Sequence, residues 1–254
     1  MLTKQPNHTY GEPSKLSAID AKKRLNSLAS SEEAASFARF FKTGPGQYGE
    51  GDVFIGVRVP MLRKVARDFR ALPLHEIEIL LYSKVHEERM LALLVLVLSA
   101  AKCDGIFRKS IYDFYMSNTQ QINNWDLVDT SAPAIVGGYL KDKDRKPLVR
   151  LAKSASLWER RIAIVSTQHF IRLGEFDDTL AISRLLLTDG EDLIHKASGW
   201  MLREVGARDE DVLVSFLDEH SAVMPRTMLR YAIEHFTDAK KRVYMDARRN
   251  AVGK

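Results

Sequence analysis

The sequence predicts an all-α fold, a helical solenoid of two-helix repeats, on three observations. Apolar residues recur with a period near 3.6 along most of the chain. Gly and Pro fall mainly between those segments, and no run alternates apolar and polar residues as a half-buried strand would. Finally, the windows 88–96 (ERMLALLVL), 123–131 (NNWDLVDTS), 158–166 (WERRIAIVS) and 193–201 (LIHKASGWM) are spaced by 35 residues, and a shorter step reaches PRTMLRYAI from Pro225. Two helices per 35-residue period fit a solenoid, in which each pair buries its apolar face on the next. An irregular helical bundle is the competing architecture. About a dozen helices are expected by this patterning. No linker divides them, so one domain over 1–254 is expected, with residues 1–12 a flexible tail and 240–254 a frayed basic end.

The elements follow in order from local signals. Ser30 with Glu33 reads as a capping box opening a helix through Phe37, Phe40 and Phe41. Pro60 and Pro73 suit the first positions of the helices MLRKVARDFR and LHEIEILLY. In the first of these, Arg63, Lys64, Arg67 and Arg70 share a polar face, while Met61, Leu62, Val65, Ala66 and Phe69 are expected to face the core. Residues 90–101 are apolar all round, too short for the ~20 residues of a bilayer span, and read as a buried helix. Gly174, Gly190 and Gly206 each follow a helical pattern and suit the left-handed position after a helix end.

Composition removes several functions. A single Cys, Cys103, provides neither a disulfide framework nor a thiolate zinc site and reads as a reduced core residue. The seven His are scattered without H-E-x-x-H pairing, so no metal is expected. Residues 44–49, GPGQYG, match G-x-G-x-x-G but follow a helix instead of a strand, which leaves a Gly-rich loop and no dinucleotide site. No G-x-S-x-G nucleophile is present. The first dozen residues lack the apolar stretch of a signal peptide. A net charge of +5 leans toward polyanions.

Folding the sequence through its period selects a candidate site. Trp125 and Arg161 differ by 36, Asp129 and Trp200 by 71, and Trp125 and Asp129 are one helical turn apart. These four residues are therefore expected on one surface, the concave face of the superhelix. Arg160 and Lys196 lie beside them, and Arg226 and Arg230 open a later inner helix. Each has an ordinary alternative: a packed Trp, a solvated or capping Asp, or an Arg161 paired with Glu159 or with an acid of a neighbouring repeat.

Four segments, FIGVRVPMLRKVAR (54–67), NNWDLVD (123–129), WERRIAI (158–164) and HKASGWMLREVG (195–206), resemble those of the AlkD-like bacterial DNA alkylation-repair glycosylases, which are built from HEAT-like repeats. The resemblance runs from about Phe37 to His235. It implies a HEAT-like α-solenoid and places the family's active-site positions on Trp125, Asp129, Arg161 and Trp200. It also marks Phe40 as a substrate-contact candidate where the family can carry a tyrosine, a change that removes a hydroxyl and keeps the ring.

The implied activity is hydrolysis of the N-glycosidic bond of cationic N3- or N7-alkylpurines in double-stranded DNA, by a monomer without cofactor, in the bacterial cytoplasm and at the nucleoid when bound to DNA. The chemistry suits a sparse site. A cationic purine leaves neutral, so the general acid of an ordinary glycosidase is dispensable and one carboxylate can stabilise the oxocarbenium-like sugar. Asp129, Trp125 and Trp200 are the expected catalytic group, each indole face attracting the cationic nucleoside by about 0.5–2 kcal/mol. Arg161 is the leading expected phosphate contact, followed by Arg160, Lys196, Arg63, Lys64, Arg226 and Arg230. The alternative is a non-catalytic helical-repeat module that binds DNA or protein.

Overall fold

A computed structural model of the protein describes residues 16–102 and 105–252, so Cys103, His8 and the expected N-terminal tail lie outside the described residues. The chain forms two compact units that meet in sequence between Ser99 and Ala100. Both are helical, and among the described residues the only extended pairing is an isolated parallel bridge between Val53 and Val85.

The first unit contains α1 (Ala18–Asn26), α2 (Ser31–Phe40), α3 (Val59–Asp68), α4 (Leu74–Leu81) and α5 (His86–Ala100). Ser17 caps α1, and Ala18, Ala21 and Leu25 give it one buried stripe. The expected capping box at α2 is half formed. The Ser30 hydroxyl accepts from the Glu33 amide, but the Glu33 carboxylate pairs with Arg58, and the Ser30 amide donates to the Ile55 carbonyl. Pro60 sits in the first turn of α3, whereas Pro73 is the cap residue before α4. Leu62, Val65, Ala66 and Phe69 are buried as expected; Met61 is 38% exposed, because it falls on the polar side of the helix. Residues Met90 to Leu96 are buried on every side, which explains the uninterrupted apolar run.

The second unit begins with α6 (Gly105–Ser117) and α7 (Trp125–Ala132), which passes through a π turn (Pro133–Gly137) into α8 (Gly138–Leu140). Pro133 has no amide proton for the Asp129 carbonyl, and the ladder shifts register there: the Gly138 amide donates to the Pro133 carbonyl five residues back. Then come α9 (Lys146–Ala152), α10 (Leu157–Ser166), α11 (Gln168–Ile171), α12 (Asp177–Leu185), α13 (Asp192–Gly206), α14 (Glu210–His220), α15 (Arg226–Ala232) and α16 (Asp238–Val252). The segment expected to fray, 240–254, carries most of this last helix. Tyr244 is buried and donates its hydroxyl to Asp218, which docks α16 on the α14 side.

The repeat is present in the helix starts. From His86 to Arg226, the second helices α5, α7, α10, α13 and α15 begin at intervals that average 35 residues, and each expected window starts within two residues of a helix start. Within the second unit α7 packs on α10, α10 on α13 and α13 on α15. The fold is thus all-α with the stacking of a helical-repeat solenoid.

Of the three expected left-handed glycines only Gly174 has positive φ, at 79°. Gly190 lies in the loop before α13. Gly206 is the last residue of α13 and is small for another reason: a Cβ there would stand 2.3 Å from Leu213 Cδ2. Gly199 makes a stricter constraint, since its Cβ would stand 2.4 Å from the Met228 carbonyl oxygen, a backbone atom that cannot turn aside as a Leu side chain can. Gly199→Ala is therefore expected to force α13 and α15 apart and to lower stability by about 1–3 kcal/mol, readable by denaturant unfolding. A variant with wild-type stability would show that the two helices separate freely.

Candidate active site

The first residues of the site are fixed by caps. Asn124 is fully buried and its side chain accepts from the Trp125 amide, which starts α7 with Trp125 as its first residue and Asp129 one turn later. Ser156 caps α10 through the Glu159 amide. Glu159 is occupied elsewhere: its two oxygens accept from the Thr119 and Ser154 hydroxyls. Arg161 therefore takes a different partner from the acid beside it in sequence.

That partner is Asp129. Arg161 Nε donates to Oδ1 at 2.9 Å and Nη2 to Oδ2 at 2.8 Å, a two-pronged pair, and Nη1 donates to the Leu193 carbonyl at 2.5 Å. The local step explains the meeting. α10 starts 32 residues after α7, so Asp129 and Arg161 are both the fifth residue of their helices. The average period of 35 had set Arg161 opposite Trp125. The same fifth position is Lys196 in α13 and Arg230 in α15. Asp129, Arg161, Lys196 and Arg230 thus occupy equivalent places on four helices that pack in succession.

Burial pushes the Asp129 carboxyl above the usual aspartate range, and the Arg161 charge and hydrogen bonds oppose this only in part. The Asp129 side chain keeps 17% of its surface exposed, against 6% for Arg161. A reactant can therefore reach the carboxylate but hardly the guanidinium.

Arg161, expected to lead the phosphate contacts, is tied into this internal pair. Three of its N–H groups are held by Asp129 and Leu193, and its side chain is buried. Arg160, also expected at the phosphates, is likewise engaged within the protein. It forks onto Asp189 at 2.6 and 3.4 Å and donates to the Ser154 and Ala155 carbonyls, tying the end of α9 to the loop before α13. Lys196 pairs with Asp192 at 2.8 Å and remains 41% exposed. That ion pair, ahead of an opposing burial contribution, holds Asp192 below the usual carboxylate range. Arg226 and Arg230 are exposed on α15, as are Arg63 and Lys64 on α3. Lys196 and Arg230 share a groove of about 670 Å³ with Asp192, Arg203 and Thr227.

The two tryptophans lie on α7 and α13. Trp125 is half-buried one turn before Asp129 on α7. Trp200 is half-buried on α13, seven residues and two turns beyond Leu193, while Ala197, Ser198 and Gly199 before it are fully covered. Close helix packing is therefore the task of the small residues, and the indole lies at the border of the packed region. Its ring N–H donates to Glu204 at 3.3 Å.

Phe40 belongs to the first unit, where it is 63% exposed and edge-on to Phe41 at 5.1 Å. Behind it, Phe41 stacks on Phe54 at 5.0 Å and Phe54 on His86 at 4.6 Å. His86 Nδ1 lies 3.0 Å from Asp52 Oδ2, and Arg89 donates to Asp52 Oδ1 at 2.6 Å. Sequence reasoning left His86 among scattered histidines, and only the fold joins it to Asp52. In the Gly-rich loop, Gly46 donates to Glu50 in its own turn, and Gly46 and Gly51 have positive φ. Among the described residues no group of three His, Cys, Asp or Glu is placed to hold a metal ion, and no helix is long and apolar enough to cross a membrane.

Comparison with known proteins adds two findings. Residues 21–236 match the family model described as DNA alkylation repair enzyme. A solved structure described as a predicted DNA alkylation repair enzyme from Enterococcus faecalis is similar with a TM-score of 0.65 and 16% identity, covering 83% of this chain and 98% of that one. No curated protein matches the chain.

Proposed function

The chain belongs to the DNA alkylation repair enzyme family, and from that premise we propose that it is a DNA glycosylase acting on cationic N3- and N7-alkylpurines in duplex DNA. The observation that carries this reading is the Asp129 carboxylate, anchored by both of its oxygens, still partly exposed, and one helical turn from half-buried Trp125. A scaffold gains little from a carboxylate held in this way. A reaction that develops positive charge on a sugar gains a fixed counter-charge, in place before the bond breaks.

Each residue has one task. Asp129 faces the oxocarbenium-like sugar and orients water toward it. Trp125 and Trp200 attract the cationic base through their ring faces, together at most ~4 kcal/mol, a little under a thousandfold if expressed only in the transition state. Arg161 positions Asp129. Such modest assistance suits a base that is already charged and leaves without a proton. Lys196, Arg226 and Arg230, with Arg63 and Lys64, hold the phosphate backbone.

The test is to incubate the protein with methylated duplex DNA and measure free N7-methylguanine and N3-methyladenine. Release above the spontaneous rate supports the reading. Salt-sensitive DNA binding with no release would instead assign a non-catalytic DNA-binding module. The pH profile adds a check on mechanism. Because the ionised carboxylate acts and burial raises its pKa, the enzymatic rate should fall toward acid with a midpoint above the usual aspartate value of about 3.9. A midpoint at or below that value would show that the buried carboxylate is not the acting group.

A further inference from the structure

The Trp200 indole is held at its polar edge. Its N–H donates to Glu204 Oε1 at 3.3 Å, one turn later on α13. Glu204 is itself fixed: Arg208, a further turn on, lies 3.2 Å from Glu204 Oε2 and donates to the Glu204 carbonyl at 2.9 Å. Glu204 and Arg208 side chains keep 27% and 34% of their surface, so this chain of three runs along the margin of α13 instead of filling a core.

A half-buried indole without a bond at N–H has more than one orientation of its ring about χ2. Only one orientation turns the ring face toward a base, and cation–π attraction depends on the face because the ring edge carries the opposite partial charge. A carboxylate that accepts from the N–H selects one orientation and so fixes which part of the ring a cation meets. On the reading given above, in which Trp200 meets a cationic base, we propose that Glu204 is a positioning residue that holds the Trp200 ring in its working orientation.

Two measurements test this. The first is base release from methylated duplex DNA at saturating substrate. Glu204→Ala is expected to lower kcat about tenfold, with KM within twofold. Glu204→Gln, whose amide oxygen still accepts from the indole, should recover most of that loss. In a Trp200→Phe background, which has no N–H to hold, Glu204→Ala should cost nothing further. A tenfold loss that persists in the Phe background, or no rescue by Gln, would overturn the proposal.

The second measurement is independent of catalysis. With Trp125 and Trp158 changed to Phe, Trp200 is the sole tryptophan, and its steady-state fluorescence anisotropy should drop on Glu204→Ala and be retained on Glu204→Gln. Unchanged anisotropy would show that Glu204 does not hold the ring. If wild type releases no base, the glycosylase reading fails, and the anisotropy result still decides whether Glu204 holds Trp200.

Discussion

Asp129→Asn is expected to release N7-methylguanine at the spontaneous rate, at least about a hundredfold below wild type, the scale on which loss of one preorganised electrostatic group acts. The substitution is nearly isosteric. The Asn oxygen can still accept one Arg161 N–H, while the charge that would face the sugar is gone. Because Arg161 then lacks its counter-charge, stability must be measured beside activity, with unfolding midpoint and release rate taken on the same sample. Wild type and Asp129→Asn releasing base equally, both above background, would remove Asp129 from the chemistry. DNA affinity should change little, since the phosphate contacts are assigned to other residues.

Arg161→Ala should be the most destabilising single change at the site. It leaves a largely covered carboxylate without its counter-ion and the Leu193 carbonyl without its donor. Breaking a buried pair from one side costs about 3–5 kcal/mol, which for this size of chain lowers the melting temperature by about 6–20 °C. Combining it with Asp129→Asn should return part of the loss, because the stranded charge is removed as well. The dependence of DNA affinity on salt should be unchanged in Arg161→Ala, whereas Arg230→Ala, at an exposed position, should reduce the slope by about one. A variant that melts like wild type but binds DNA with a shallower salt slope would restore Arg161 as a phosphate contact.

The contrast between these two arginines shows what was readable in the chain. The helical class, the buried run at 90–96 and the spacing of the second helices follow from apolar periodicity, which the 3.6-residue geometry imposes on any helix with a covered face. Asp129 and Arg161 were selected by phase, and they touch. Their pairing was open only as an alternative, an acid of a neighbouring repeat, because a mean period hides a local step of 32, and three residues of phase rotate a side chain by most of a helical turn.

Partners on loops were less legible still. Asp189, which takes Arg160, lies 29 residues away in a segment with no period to place it. The Glu87 carboxylate, which accepts from the amides of Ile55, Gly56 and Val57, depends on a chain reversal that no local pattern encodes. Glu204 carried a readable signal, an acid four residues after Trp200 on one helix, and that spacing was passed over.

The Arg161 side chain reaches from α10 both to Asp129 on α7 and to the Leu193 carbonyl on α13. In repeat arrays each helix pair tends to open by itself, limited by its contacts with its neighbours. A single guanidinium shared by three consecutive repeats couples their opening, so fraying that reaches α13 also releases the carboxylate on α7. The proposed catalytic group would then be present only while this stretch of the array is closed, and activity would report the cooperativity of neighbouring repeats.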